Sequence, residues 1–245
     1  MARLSRVPLF GLEAGERTLD AKAARYLRDI LRLRAGDIFL AFDPDAQREA
    51  DATLVEISAA GTRCVLGAPR AAARASDTGI VLVQALGKGD KTEQVVRSAT
   101  ALSVAEIHLV ESARSVARAG DRSDAKRVRL EGIALDAARQ SGRGDLPKIV
   151  GPHALESELE TWRAVSAIKL CLVPGAAHSL RSLTREWSLG SPIALLIGPE
   201  GGLAPEELTA AEQAGFVATS FGELVLRTEI AGVAALGALL MLGEA

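Results

Sequence analysis

The stretch LLIGPEGGL (195–203) is an apolar run that ends at Gly-Pro and continues with two more glycines beside one carboxylate. Glycine loses more conformational freedom on folding than any other residue, so the cluster indicates a backbone that bends tightly or lets another group approach closely. Pro205 and the two acidic residues after it are typical of a helix start, and Gly215 is typical of a helix end. The stretch therefore predicts a buried strand, a glycine loop and a helix. In an open α/β sheet, ligands bind at the carboxyl ends of strands, where this loop lies.

The same alternation extends back to Ile80. Apolar strand patterns at 80–86, 107–110, 167–173, 193–197 and 217–221 alternate with helical patterns at 92–103, 125–141 and 205–214 and with a final helix. Strands that are apolar throughout and separated by helices indicate a parallel sheet covered on both faces. Asp90 and Glu93 fit a capping box for the helix that begins near Lys91.

The first seventy residues have a different pattern. Apolar residues recur at helical spacing at Ala24, Leu27 and Ile30 or Leu31. The segments AGDIFLAFD, EADATLVEI and GTRCVLG follow as short strands separated by turn residues. This order predicts a small β-barrel.

The two parts of the chain also differ in charge. Residues 1–150 carry 24 Lys and Arg against 20 Asp and Glu, whereas residues 151–245 carry 5 against 11. A basic first part suits a polyanion, and ordinary solvated faces explain the charge equally well. We expect a first domain at 1–72, a short linker at 71–76 and a second domain at 77–245.

Several function classes lack their motifs. The chain has no GxxxxGK[ST], no GxGxxG after the first α/β strand and no GxSxG, which argues against NTPases and hydrolases. Cys64, Cys171 and the three histidines are not at metal-ligand spacing, so we expect no metal, no disulfide scaffold and a cytoplasmic location. The N-terminus has no long apolar segment, and the apolar stretch 230–243 is too short for a span, so we expect no membrane partner.

Several ordered motifs resemble one family. IGPEGGL (197–203) and FGELVLRTEIA (221–231) resemble the C-terminal motifs of the RsmE family, SPOUT-class methyltransferases that methylate N3 of a uridine in 16S ribosomal RNA. ARQSGRGDLPKI (138–149), LGKGDK (86–91) and LRLRAGDIFLAFD (31–43) resemble further segments of that family. The resemblance implies an α/β fold with a SPOUT-type parallel sheet and a C-terminal deep trefoil knot, preceded by a small PUA-like β-barrel domain. It also implies S-adenosyl-L-methionine as cofactor, a homodimer, and 16S ribosomal RNA or the small ribosomal subunit as partner.

The resemblance assigns candidate residues to the cofactor and to RNA. The expected cofactor residues are Leu172, Val173, Pro174, Gly198, Pro199, Glu200, Gly201, Gly202, Leu224 and Leu226. The expected RNA-binding residues are Arg28, Arg32, Arg34, Lys88, Lys91, Arg139, Gln140, Ser141 and Arg143. A solvated helix face explains the first three arginines about equally well, and a helix dipole also favours basic residues at a helix C-terminus.

The catalytic candidates are Arg227, Glu200 and Glu229. Uracil N3 becomes nucleophilic after it loses its proton, so the site needs a base or a cation that stabilises charge on the flanking carbonyls. Arg227 is the candidate cation, and Glu200 or Glu229 is the candidate base or orienting group. A structural ion pair between Arg227 and either glutamate is the alternative.

The chain departs from the family pattern at a few positions. These are Ala101 and Ser103 in place of the Glu and Gly of an ELG run, Ala113 in place of Glu, Glu223 in place of Arg, and Ile230 in place of Thr. They bear on RNA contact rather than on the fold or the cofactor. Two alternatives follow: a SPOUT enzyme with another RNA target or methylated atom, and a ribosome-assembly factor that binds RNA without catalysis. Intact Arg227 and Glu229 favour activity.

Overall fold

A computed structural model describes residues 4–58, 61–76, 78–116, 123–183 and 192–243. The chain divides into two compact units. The first comprises Met1–Ser76 and Ala138–Leu146, and the second comprises Asp77–Ala137 and Pro147–Ala245. The division after Ser76 falls at the end of the expected linker, whereas the segment Ala138–Leu146 was expected in the second domain.

The first unit is built on a six-stranded sheet. Its elements are β1 (Arg6–Pro8), β2 (Gly15–Thr18), α1 (Ala21–Arg25), β3 (Ile38–Asp43), β4 (Arg48–Ser58), β5 (Gly61–Leu66) and β6 (Arg70–Ala71). The strand order is β1-β3-β4-β5-β2, with β6 paired to β4. Alternate residues of β4 and β5 are buried, including Ala52, Leu54 and Cys64, as expected for strands with one face on a core. The three predicted strands are confirmed.

The predicted first helix is shorter and less regular than expected. After α1, residues Tyr26–Ile30 form a π-turn in which the Leu31 amide donates to the Tyr26 carbonyl at 3.0 Å. Leu27 is fully buried, as predicted, and of the two alternatives for the next apolar position Leu31 packs against the core of this unit, whereas Ile30 is 67% exposed. The i→i−5 hydrogen bond adds a residue to the turn and rotates Ile30 away from the core.

Arg143 belongs to the buried part of the first unit. Its guanidinium donates to both carboxylate oxygens of Asp145, at 2.9 and 2.8 Å, and its side chain is 3% exposed. Asp145 Oδ1 also accepts from the Ser76 amide at 3.0 Å. The prediction that Arg143 contacts RNA is therefore corrected, because the guanidinium is enclosed and bound to a carboxylate in a bidentate pair.

The second unit alternates strands and helices. Its elements are β7 (Ile80–Ala85), α2 (Lys91–Ala101), β8 (Glu106–Glu111), α3 (Ser123–Ser141, whose residues from Ala138 onward belong to the first unit), β9 (Lys148–Ala154), α4 (Leu155–Arg163), β10 (Ile168–Leu172), β11 (His178–Ser179), α5 (Leu180–Leu183), β12 (Ile193–Ile197), α6 (Pro205–Gln213), β13 (Val217–Ser220) and α7 (Thr228–Gly243). The sheet order is β11-β13-β10-β12-β7-β8-β9, and every recorded pairing is parallel. The α/β class and the parallel sheet are confirmed, whereas β9 and α4 were not predicted.

The sheet is buried on both faces. Consecutive residues of the central strand β12, Ala194 to Ile197, are all buried, so each face of the strand is covered. α7 packs against α2 and β12, with Leu236 fully buried. No helix in the described ranges is both long enough and apolar enough to span a membrane.

α2 begins at Lys91 as predicted, but the capping box is wrong. The Asp90 carboxylate makes no cap hydrogen bond and instead accepts from Gln94 Nε2 at 3.0 Å. The Glu93 carboxylate lies 2.8 Å from Arg129 Nε. Both acids therefore have side-chain partners that a local sequence pattern does not reveal.

α6, the helix after the glycine loop, begins and ends as predicted. It starts at Pro205, and Gly215 follows its last turn with a φ of +88°. Glu207 accepts from the Ala204 amide at 2.8 Å through Oε2 and from the Ala113 amide at 2.7 Å through Oε1. This glutamate fixes the start of α6 at the end of the glycine loop.

A buried glutamate joins the edge strand β9 to α4. Glu158 Oε1 lies 2.5 Å from His108 Nδ1 and accepts from Trp162 Nε1 at 2.6 Å, while Oε2 lies 2.5 Å from His153 Nε2. Burial raises the pKa of Glu158, but hydrogen bonds from the two histidines and the tryptophan outweigh it and hold the pKa at about 2. Glu158 is therefore an ionised structural group.

Candidate active site

A cavity of about 470 Å³ opens at the carboxyl ends of three neighbouring strands of the second unit, β13, β10 and β12, beside the start of α2. Its lining comes from 172–175 at the end of β10, from the 197–203 segment after β12, from 221–228 after β13, and from Lys91. Parallel strands place these ends at one edge of the sheet. The volume lies in the range typical of small-molecule sites.

The bare glycine loop is explained by its local geometry. Gly202 has a φ of +67°, which side chains rarely adopt, and its amide donates to the Pro199 carbonyl at 2.8 Å across a tight turn. A Cβ on Gly198 would lie 3.2 Å from both the amide nitrogen and Cγ of Leu203. Both glycines line the cavity, so the loop presents backbone to whatever occupies it.

Gly201 has a different environment from its neighbours. It is absent from the cavity lining, and a Cβ on it would lie 3.4 Å from Arg114 Cβ, at ordinary contact distance. Arg114 NH1 donates to the carbonyls of Gly201 at 3.1 Å and Leu203 at 3.3 Å. The Gly201 carbonyl therefore accepts a hydrogen bond from Arg114, and contact of the Gly201 backbone with the cofactor stays a prediction.

The structure places nine of the ten expected cofactor residues in the cavity lining, all except Gly201. The 221–228 segment contributes an apolar side that is open to solvent. Leu224 is 80% exposed and Leu226 is half-buried. Such exposed apolar side chains beside a cavity suit contact with an apolar part of a ligand.

A buried chain of hydrogen bonds holds the glycine loop in place. Thr228 Oγ1 donates to the Gly198 carbonyl at 2.7 Å and accepts from Gln84 Nε2 at 3.1 Å. Gln84 Nε2 also donates to the Ala85 carbonyl at 3.0 Å. These hydrogen bonds link strand β7, the first residue of α7 and the glycine loop.

Two glutamates and one lysine form an ionic cluster at the cavity, which we call the Lys91 cluster (Lys91, Glu200 and Glu229). Lys91 Nζ lies 2.9 Å from Glu200 Oε1 and 3.5 Å from Glu229 Oε2. Burial raises the pKa of Glu200, but hydrogen bonds from its own amide, the Lys88 amide and the Lys91 ammonium outweigh it and hold the pKa below its ordinary value. Hydrogen bonding to Glu200 raises the pKa of Lys91. Glu200 and Lys91 are therefore both charged at neutral pH.

Arg227 lines the cavity with an exposed side chain. Among the described residues, no hydrogen bond or ion pair to its guanidinium is recorded, while its carbonyl accepts from the Ile230 and Ala231 amides. The alternative of a structural ion pair with Glu200 or Glu229 is therefore not what the structure contains, because Lys91 pairs with both. The Arg227 guanidinium is left available to a ligand.

The expected RNA-binding residues have varied surroundings. Arg28, Arg32, Arg34, Lys88 and Gln140 are exposed, and Arg139 and Ser141 are half-buried. Arg28 pairs with Asp29 at 2.7 Å, and the Arg139 guanidinium lies 4.2 Å from the centre of the Tyr26 ring. Lys91 lies in the cavity lining and is bound to two carboxylates instead of facing solvent freely.

The sequence interpretation missed Gln84, Thr228 and Arg114 as residues of the site. Gln84 offered a signal, because it is the one polar side chain in the apolar run IVLVQAL, and buried polar groups need partners. Thr228 lies inside the FGELVLRTEIA motif, between two of the three catalytic candidates, Arg227 and Glu229. Arg114 contacts residues 87 and 89 positions later, which no local pattern indicates.

Solved structures of known proteins share this fold. The chain is 27% identical to a putative methyltransferase of Legionella pneumophila solved with bound SAM, with a TM-score of 0.87 and coverage of 98% of each chain. It is 27% identical to ribosomal RNA small subunit methyltransferase E from Neisseria gonorrhoeae bound to S-adenosyl methionine, with a TM-score of 0.84 and the same coverage.

Sequence comparisons agree with the structural ones. The chain is 26% identical to ribosomal RNA small subunit methyltransferase E of Bacillus subtilis over 232 residues, which are 93% of this chain and 90% of that protein. The family model of the RNA methyltransferase domain matches residues 74–240. This chain belongs to the RNA methyltransferase family, and its relatives there include ribosomal RNA small subunit methyltransferases E.

Proposed function

We propose that the protein transfers a methyl group from S-adenosyl-L-methionine to N3 of a uridine in 16S ribosomal RNA. The observation that carries the proposal is the glycine-loop cavity at the carboxyl ends of three parallel strands. Its position is that expected for a ligand in an open α/β sheet. The similar proteins with bound cofactor identify the class of ligand that such a cavity takes.

The residues of the cavity fit this cofactor. Its adenosine needs apolar walls and backbone polar groups, which Leu226 and the bare backbone at Gly198 and Gly202 supply. Its sulfonium and ammonium groups need a site without net positive charge, and in the lining the carboxylates of Glu200 and Glu223 offset the cations of Lys91 and Arg227. These residues would hold the cofactor.

The chain's own part in the reaction is positioning and charge stabilisation. The bound cofactor supplies an activated methyl group, and transfer requires the acceptor nitrogen to lie in line behind it. N3 lies on the pairing edge of uracil, so the base has to be unpaired or flipped out to reach the cavity.

Arg227 is proposed to stabilise the uracil anion. Its guanidinium lines the cavity without a protein partner in the described part of the chain, and a planar fork can donate to a carbonyl oxygen beside N3. That charge develops as N3 loses its proton, so the interaction is stronger in the transition state than in the ground state. Glu229 is held by Lys91 and orients the start of α7.

The finer fold is part of the proposal. A C-terminal trefoil knot is supported by the strand order, because the chain passes from β12 to β13 on the far side of β10 and then returns to pack α7 on β12. The first unit is proposed to be a PUA-like RNA-binding barrel, with Arg28, Arg32 and Arg34 exposed on it. A cytoplasmic location follows from a ribosomal RNA substrate.

A homodimer is also proposed. α7 buries Leu236 and Leu239, yet Ile230 is 50% exposed and Met241 is 71% exposed on the same helix. A helix that is apolar on both its buried and its exposed sides suits a second protein surface. Sedimentation at micromolar protein should give about twice the chain mass, and a stable, active monomer would rule the dimer out.

The two rival functions can be separated in one assay. Tritiated S-adenosyl-L-methionine is incubated with the protein and either naked 16S ribosomal RNA, small subunits or large-subunit RNA, and the product nucleoside is identified by mass spectrometry. Label in N3-methyluridine of 16S RNA supports the proposal. Label in another RNA or at another atom favours a different methyltransferase, and RNA binding without any transfer favours an assembly factor.

A further inference from the structure

The Lys91 cluster joins three separate segments at the mouth of the cavity. Lys91 is the first residue of α2, Glu200 lies in the glycine loop and Glu229 lies in the first turn of α7. The Lys91 ammonium contacts both carboxylates, at 2.9 and 3.5 Å, and Glu200 Oε1 also accepts from the Lys88 amide at 3.0 Å. The Lys91 side chain therefore connects the start of α2 to the glycine loop and to the first turn of α7.

The path of Lys91 into the cluster depends on a glycine. A Cβ on Gly87 would lie 2.9 Å from Lys91 Cβ and 3.7 Å from Glu200 Oε1. The absence of a side chain at Gly87 therefore leaves the space through which Lys91 reaches the glycine loop. Gly87 and Lys91 both lie in the LGKGDK motif, whose lysines were expected to bind RNA.

Lys91 supplies the positive charge of the cluster. The Glu229 side chain is only 10% exposed, and its Oε2 is buried without a hydrogen-bond donor. The ammonium of Lys91 is the cation recorded beside this oxygen, so removal of the ammonium would leave Glu229 uncompensated next to Glu200. An uncompensated carboxylate that is largely removed from water is strongly unfavourable, and the two acids would move apart.

We propose that Lys91 is a positioning residue for the cofactor, acting through Glu200 on the glycine loop and through Glu229 on the α7 turn next to Arg227. This inference rests on the proposed function, because it concerns the cofactor of that reaction. It assigns to Lys91 a task inside the site instead of the RNA contact expected from its motif. It also means that Glu200 and Glu229 serve as fixed carboxylates tied to the ammonium.

The test compares Lys91→Met, which removes the charge at similar length, with Lys91→Arg, which keeps it. The control is Lys148→Met, which removes a lysine that pairs with Glu106 at 3.4 Å on the exposed edge strand β9. Calorimetry with S-adenosyl-L-methionine should show affinity about tenfold lower for Lys91→Met, the scale of one lost charge-assisted hydrogen bond. Lys91→Arg should recover most of it, and Lys148→Met should bind like the wild type.

A double-mutant cycle separates positioning from mere stability. Glu200→Gln alone should also weaken cofactor binding. The double variant Lys91→Met/Glu200→Gln should bind the cofactor no more weakly than the single variant of lower affinity, because the two residues act as one unit. Folded Lys91→Met with wild-type affinity, or strictly additive losses, would overturn the inference.

Hydrogen exchange of the cofactor-free protein distinguishes this inference from the proposed function. Lys91→Met should speed amide exchange in 198–203 and in the first turn of α7, relative to the wild type and to Lys148→Met. If the wild type binds no S-adenosyl-L-methionine, the proposed function fails, and the exchange data alone decide whether Lys91 positions these segments. Unchanged exchange at both segments would overturn that role.

Discussion

Replacing Thr228 by Val tests whether the buried hydrogen-bond chain holds the glycine loop. Valine has the shape of threonine without the hydroxyl, and Thr228 is 6% exposed, so water does not replace the lost donor. The Gly198 carbonyl loses its 2.7 Å donor, and Gln84 Nε2 loses one of its two acceptors. A buried polar group left without a partner costs about 1–3 kcal/mol, so we expect a loss of about 2 kcal/mol in the free energy of unfolding.

The assay is thermal and denaturant unfolding followed by calorimetric binding of the cofactor. For a chain of this length, a loss of about 2 kcal/mol corresponds to a fall in Tm of roughly 4–8 °C. Cofactor affinity should fall by about tenfold or less, because the same bond orients a carbonyl of the cavity. Thr209→Val is the control, since Thr209 Oγ1 donates to the Pro205 carbonyl at 3.1 Å on an exposed helix face.

Two outcomes would refute this reasoning. One is a Thr228→Val protein whose stability and affinity match those of the wild type. The other is an equal loss in Thr209→Val, which would show that the cost comes from valine on a helix and not from the buried chain.

Four further predictions concern single positions. Arg227→Lys keeps the charge but loses the planar fork, so single-turnover methylation should slow by on the order of a hundredfold while calorimetric cofactor affinity changes little; wild-type turnover would contradict this. In denaturant unfolding, Gly201→Ala should match the stability of the wild type, whereas Gly202→Ala, at a φ of +67°, should lose about 1 kcal/mol in the free energy of unfolding. A larger loss for Gly201→Ala than for Gly202→Ala would contradict this. Ser103 has a φ of +58°, so Ser103→Gly should gain roughly 0.5–1 kcal/mol in the same measurement, and a loss would contradict the strain. Burial raises the pKa of Glu158, but hydrogen bonding outweighs it and lowers the pKa from 4.5 to about 2. About 3 kcal/mol in the free energy of unfolding, present above pH 4.5, should therefore be lost as the pH falls to about 2. Glu158→Gln should remove this dependence of the unfolding free energy on pH.

The fold was predictable where patterns are local. Apolar strands such as 193–197 and the helix start at Pro205 carry their signals within a few residues. The errors arose where the structure breaks the local period or supplies a distant partner. The π-turn at Tyr26–Ile30 leaves Ile30 outside the apolar face, and Arg129 binds the Glu93 carboxylate that was expected to cap α2.

The cavity was largely predictable and its ionic contacts were not. The glycine loop and Leu226 were identified by motif, and the structure places them in one lining. The partners of Lys91 lie more than a hundred residues away along the chain, and charge alone does not separate a lysine in an ion cluster from one that faces RNA. The partner of Arg143, Asp145, lies two residues away in the same motif, but the motif gives no sign that the pair is buried.

The measurement that tests the central claim most directly is mass spectrometry of ribosomal RNA nucleosides from a strain in which this gene is deleted. The account predicts the loss of one N3-methyluridine from 16S RNA, with restoration by the wild-type protein and much weaker restoration by Arg227→Ala. An unchanged N3-methyluridine content in the deletion strain, or a methyl group missing from a different atom or a different RNA, would contradict it.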